Sequence, residues 1–181
     1  MKRLGCFAAI FLFLSVSAEA TDLTLFGGFQ NPGKITLREA PSQGISTAGQ
    51  ILDDPINVGM FGVRVGYGGV IGGETTFAYA PNFLDSSSKG YILDTNLNVQ
   101  FPSPIVKPYA TAGLATIYVK GTGPSDIGLR AGFNYGGGLK VFPYGPVGAR
   151  LDVRGYAMPS IQDQTLNMVE VTLGVVFRLG D

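Results

Sequence analysis

Residues Gly136–Tyr156 read GGGLKVFPYGPVGARLDVRGY. From Val147 onward the residues fall into two alternating sets: Val147, Ala149, Leu151 and Val153 on one parity, Gly148, Arg150, Asp152 and Arg154 on the other. Period two is the mark of an extended strand, whose successive side chains point to opposite faces. In a soluble protein the charged face of such a strand meets water and the apolar face meets a core. Here the charges are crowded, carry both signs, and follow an aromatic turn, Phe142–Pro146 (FPYGP). Which face meets water therefore decides the fold.

The same alternation runs through most of the chain after Ala20, where helical periodicity is hard to find. Eight strands are drawn: Leu23–Gln30, Met60–Tyr67, Val70–Tyr79, Tyr91–Phe101, Lys107–Val119, Leu129–Phe142, Val147–Met158 and Asn167–Leu179. They run from 8 to 14 residues, around the nine to eleven a tilted strand needs to cross a bilayer. The connections after the second, fourth and sixth strands are short. Those after the first, third, fifth and seventh are longer, with residues 31–59 the longest. An even strand count with short turns at one end and long loops at the other is the layout of an outer-membrane barrel, its short turns and termini in the periplasm. Tyr67, Phe101, Tyr109, Phe142 and Tyr144 fall at the short-turn ends, and Phe77, Tyr79, Tyr91 and Tyr118 at the long-loop ends, as two interfacial aromatic girdles would.

Opposite the apolar parity lie Arg64, Glu74, Asp94, Lys140, Arg150, Asp152, Arg154, Glu170 and Arg178, with Thr76, Asn96, Asn98, Gln100, Asn134 and Thr172 among them. A basic side chain on the lipid face near the midplane costs roughly 2–4 kcal/mol, so nine charges facing outward would be prohibitive. Facing inward they can pair. The expected fold is all-β, an eight-stranded antiparallel up-and-down transmembrane β-barrel, with these nine residues as a structural charge network in a lumen that side chains just fill. Gly62, Gly66, Gly136 and Gly138 share the inward parity and leave room for long side chains. The facing of the fifth strand stays open, because ATAGLAT is small on both parities.

Residues 1–20 read as a cleaved signal peptide: Lys2 and Arg3, an apolar run from Phe7 to Val16, then SAEA before Thr21. The Gly5–Cys6 pair is no lipoprotein site, since the apolar run follows Cys6 instead of preceding it. The barrel domain is then 21–181, free of cysteine and histidine, with 11 basic and 12 acidic residues. That balance leaves no basic patch for a nucleic-acid partner.

The stretches GVRVGYGGVIGGETTFAYAPNF, KPYATAGLATIY, NYGGGLKVF, GARLDVRGY and VEVTLGVVFRLG, in this order and spacing, cover nearly the whole of 21–181. Together they resemble the outer-membrane β-barrel domain family, small eight-stranded barrels similar to the membrane domain of OmpA and to OmpX. The resemblance implies an integral outer-membrane location, membrane lipids as surroundings, and the barrel-assembly machinery as a partner. Family members usually close on an aromatic residue; here Phe177 stands four residues from the end and the chain closes RLGD.

Four functions fit an eight-stranded barrel. A structural or surface-interaction role places binding in the loops, with residues 31–59 and Asp53–Asp54 the foremost candidate. Those two carboxylates lack the spaced oxygen ligands of a calcium loop, and neither metal nor cofactor is expected. A small diffusion channel needs an open lumen. A lipid A-modifying enzyme of the hydrolase type needs a serine with an activating histidine, and this chain has no histidine. A soluble lipocalin-like carrier needs an apolar lumen, the reverse of the parity here.

Overall fold

The computed structural model describes residues 20–31, 36–37, 50–51, 57–84, 86–161 and 164–179. Residues 1–19 of the 1–20 signal-peptide reading and the candidate pair Asp53–Asp54 lie outside them. Eight antiparallel strands form one closed barrel: β1 Ala20–Asn31, β2 Val58–Gly68, β3 Ile71–Pro81, β4 Lys89–Gln100, β5 Val106–Lys120, β6 Gly128–Tyr144, β7 Val147–Ile161 and β8 Gln164–Arg178. Each strand pairs with its neighbours in sequence, and β1 closes on β8 from Asp22 opposite Arg178 to Asn31 opposite Val169. Closure leaves no strand edge with unpaired backbone groups, which is what a sheet in hydrocarbon requires. Thr36–Leu37 and Gln50–Ile51 form a two-residue ladder within the first long connection.

The short turns are tight where expected. Gly68 (φ 79°) ends β2, and Gly145 (φ 69°) sits between β6 and β7, both in the left-handed region that favours glycine. One long loop is shorter than its sequence suggests. β7 runs to Ile161 and β8 starts at Gln164, so only residues 162–163 join them. Pro159 argues against a strand there, because it lacks the N–H that a ladder needs. The pairing of β6 with β7 begins at Phe133 opposite Ala157, so Pro159 lies past the part of β7 that β6 covers, where an N–H is not required on that side.

Outward residues are large and apolar all round: Phe29 is 64% exposed, Phe133 62% and Leu173 64%, with Leu97, Leu114 and Val153 likewise exposed. A soluble monomer rarely shows a contiguous apolar patch of more than a few hundred Å². A surface of this kind on every strand is a lipid-facing belt. β5 resolves the same way, with Tyr109, Thr111, Ala115, Ile117 and Val119 buried inward and Ala110, Ala112, Leu114 and Tyr118 exposed. Phe61, Tyr79, Tyr91 and Tyr118 form a continuous outer ladder, with ring centroids 5.5, 5.2 and 6.3 Å apart. Tyr109 and Phe142 do not belong to a girdle: both are buried inside the barrel.

The interior has two tiers. The tier toward the short turns is polar and charged. The one toward the long loops is apolar, holding Met60, Ala78, Ile92, Ile117, Met158 and Met168. Phe83 and Leu84, from the β3–β4 connection, pack onto this upper tier. Phe83 lies against Gly90, where an added Cβ would collide with its ring, and Ser88 Oγ accepts the Leu84 N–H at 2.8 Å. The sequence reading had only the charged interior.

The substitution Leu173→Arg should lower unfolding free energy in lipid vesicles by roughly 2–4 kcal/mol if it lies near the midplane. Thr122→Arg, on the exposed β5–β6 connection, should change it by less than about 0.5 kcal/mol. Urea titration followed by circular dichroism, suited to a chain without tryptophan, measures both.

Candidate functional site

On β7, Arg150, Asp152 and Arg154 occupy alternate positions and so share one face, with about 7 Å between neighbours. The order plus, minus, plus lets one carboxylate serve two guanidinium groups of its own strand. Asp152 is the hub. Its Oδ2 accepts from Arg150 Nε and from Arg64 Nη1 of β2, each at 2.8 Å. Its Oδ1 accepts from Arg150 Nη2 and Arg154 Nη2, each at 3.1 Å, and from the Tyr109 hydroxyl of β5. Glu74 of β3 faces the same arginines, pairing with Arg150 Nη2 at 2.6 Å and with Arg154. Glu170 of β8 accepts from Arg64 and, at 2.9 Å, from the Tyr156 hydroxyl. Asp94 of β4 pairs with Arg154 Nη1 at 3.5 Å and lies 3.1 Å from both the Tyr156 hydroxyl and Asn96 Nδ2.

The side chains of Arg64, Arg150 and Arg154 have no solvent exposure. Removing an ion from water costs several kcal/mol, repaid only when partners have good geometry and remaining donors are satisfied. Some of those donors find hydroxyls: Thr172 accepts from Arg64 at 3.0 Å, and Thr24 from Arg150 at 3.4 Å, while Arg64 Nε and Arg154 Nε are buried without a hydrogen-bond partner among the described residues. The guanidinium of Arg64 also stacks 3.8 Å above the Phe26 ring, and that of Arg150 4.7 Å from the Tyr109 ring. Room for these groups comes from glycine. A Cβ at Gly136 would stand 3.0 Å from Arg154 Cγ, and one at Gly138 would stand 2.6 Å from the Tyr109 hydroxyl.

Seven of the nine charges read from sequence thus meet in one cluster: Arg64, Glu74, Asp94, Arg150, Asp152, Arg154 and Glu170. Lys140 sits below it, paired with Asp22 of β1 at 2.5 Å and 5.5 Å from the Tyr109 ring. Arg178 stands apart at the short-turn rim, 4.4 Å over the Phe142 ring, with no ion pair among the described residues. Sequence reading missed Asp22, Tyr109 and Tyr156. Asp22 shares the inward parity of Thr24 but precedes the strand expected from Leu23; the observed strand starts at Ala20. Tyr156 continues the parity of Arg150, Asp152 and Arg154 and was legible on that ground.

The sequence profile of the outer membrane protein beta-barrel domain family matches residues 7–178. The chain belongs to that family. No curated protein sequence matches it. Among solved structures it is similar to Neisserial surface protein A (NspA), at 14% identity and TM-score 0.66, covering 90% of this chain and 99% of that one. The N-terminal β-barrel domain of Pseudomonas aeruginosa OprF matches at 14% identity and TM-score 0.53, covering 87% and 98%. The outer membrane enzyme PagL matches at 12% identity and TM-score 0.50, covering 87% and 99%. At these identities the likeness is one of fold. The lipid-facing belt described above therefore lies in an outer membrane.

Removing the hub while its guanidinium partners stay buried should be severe: Asp152→Ala is expected to cost about 3–5 kcal/mol. Tyr109→Phe, which removes one hydrogen bond to the same carboxylate, should cost about 1–3 kcal/mol. Equilibrium unfolding in urea, with folded fraction read from the mobility of unboiled samples on SDS gels, checks both.

Proposed function

We propose that this protein is a closed outer-membrane barrel with a structural or surface-interaction role, its lumen plugged by the charge cluster below and the apolar tier above. The observation that carries the reading is the complete burial of Arg64, Arg150 and Arg154 in the middle of the barrel, each engaged by at least one carboxylate from another strand. A conducting lumen would keep such groups hydrated. Phe83 and Leu84 add an apolar lid at the loop end, which a water path would have to displace.

A closed barrel exchanges nothing through its centre, so binding falls to the loops that rise from its outer end. The first connection, the longest in the sequence, is the foremost candidate for a ligand or adhesion partner. A catalytic role is disfavoured by the residues themselves: without histidine, no serine here has the usual activating base. The leader of residues 1–20 would export the chain and be removed before Thr21. The barrel-assembly machinery would then insert it, with β8 and its Phe177 as the strand to be recognised.

Reconstitution into planar bilayers tests the reading. Wild-type protein should give no conductance steps above the lipid baseline. Stable, reproducible steps from the folded form would replace the plug with a small diffusion channel.

A further inference from the structure

The short-turn rim carries a second feature that the interior cluster does not use. A cavity of about 180 Å³ opens there, lined by Thr21, Asp22, Lys107, Lys140, Phe142 and Arg178, with the Gly68–Gly69 turn at one wall. Three of these side chains are basic and one is acidic. The acid is already engaged. Asp22 Oδ2 holds Lys140 Nζ at 2.5 Å, and Oδ1 is buried against Gly66, out of contact with solvent. Lys107 and Arg178 have no carboxylate partner among the described residues. Both instead lie against one ring, Phe142, with Lys107 Nζ 5.9 Å and the Arg178 guanidinium 4.4 Å from its centroid. The aromatic face eases the proximity of two cations without neutralising either.

The described lining of the pocket thus carries a net excess of two positive charges in a recess with low-dielectric walls, an arrangement that concentrates anions. It combines a planar guanidinium, suited to bidentate contact with a tetrahedral oxyanion, and an ammonium that acts as a point charge. We infer that the periplasmic mouth of the barrel is a binding site for a phosphate group, held by Lys107 and Arg178 over Phe142. Its position at the rim, where the barrel meets the inner leaflet, gives two sources of that chemistry: a phospholipid headgroup or a free phosphate ion. The proposed removal of residues 1–20 would place the α-ammonium of Thr21 on the same rim and strengthen the site.

The site is at the opposite end from the loops and does not depend on whether the lumen conducts. The test uses the full folded protein in a non-ionic, phosphate-free detergent, titrated first with inorganic phosphate and then with dihexanoyl phosphatidylglycerol, and followed by amide chemical shifts. Saturable shifts confined to Gly68, Gly69, Phe142 and Arg178 are expected in at least one titration. A response to both ligands supports a free-ion site, and a response to the lipid alone supports a headgroup site. The double substitution Lys107→Gln with Arg178→Gln should weaken binding about tenfold or more. Neither residue belongs to the buried cluster, so the variant should keep the heat-dependent gel shift of the folded barrel. Wild-type protein that responds to neither ligand, or a folded double variant that binds as tightly as wild type, overturns the inference.

Discussion

Three guanidinium groups sit in the middle of this barrel with no solvent exposure, and four carboxylates face them: Glu74, Asp94, Asp152 and Glu170. That compensation constrains the rest of the structure. The charges cannot turn outward, because the outer face meets hydrocarbon. They cannot stand alone inward, because an unpaired buried ion costs several kcal/mol. So strands that are far apart in sequence must deliver opposite charges to one level of the lumen. Arg64 from β2, Glu74 from β3, Asp94 from β4, the β7 trio and Glu170 from β8 do so. The register of the sheet follows, since a slip of one residue would send every charge of a strand into lipid.

The same requirement explains how the strands are composed. Where the inward residue is a long arginine of β7, one of its two cross-strand neighbours is small: Gly136 lies opposite Arg154 and Gly174 opposite Arg150, while Glu170 and Lys140 stand on the other sides. Where the lumen turns apolar, methionine and isoleucine take over, and Phe83 with Leu84 fill the space that no strand residue reaches. A salt-bridged lower tier and a packed upper tier close the barrel by different physics. The first gives strong, directional contacts that specify register. The second excludes water by contact alone. At the short-turn rim Lys107 and Arg178, without a carboxylate partner among the described residues, border an open recess.

Much of this was legible in the sequence because β-strand periodicity is coarse but unambiguous when one parity carries charge. Arg150, Asp152 and Arg154 announce an inward face by themselves, and Arg64, Glu74, Asp94 and Glu170 follow once that face is fixed. The upper tier was not legible, because Ile117 or Met158 reads equally well as lipid-facing. β5 was silent for the same reason, small residues occupying both parities. Tyr109 and Phe142 were misplaced because an aromatic near a strand end fits either an interfacial girdle or a lumen, and only closure of the sheet decides between them. Pro159 hid the true length of β7, since the absence of a β6 partner beside it is a property of the assembled barrel.

The central claim is that one parity of each strand meets lipid and the other meets a dry, charge-compensated interior. Nitroxide scanning of Val169–Phe177 in vesicles tests it most directly, by collision with oxygen, which partitions into lipid, and with a water-soluble nickel chelate. Labels at Val169, Val171, Leu173 and Val175 should collide strongly with oxygen and weakly with the chelate. Labels at Glu170, Thr172 and Val176 that still permit folding should collide little with either. Strong chelate collision at Leu173 and Val175, or no two-residue period in the oxygen signal, would contradict the account.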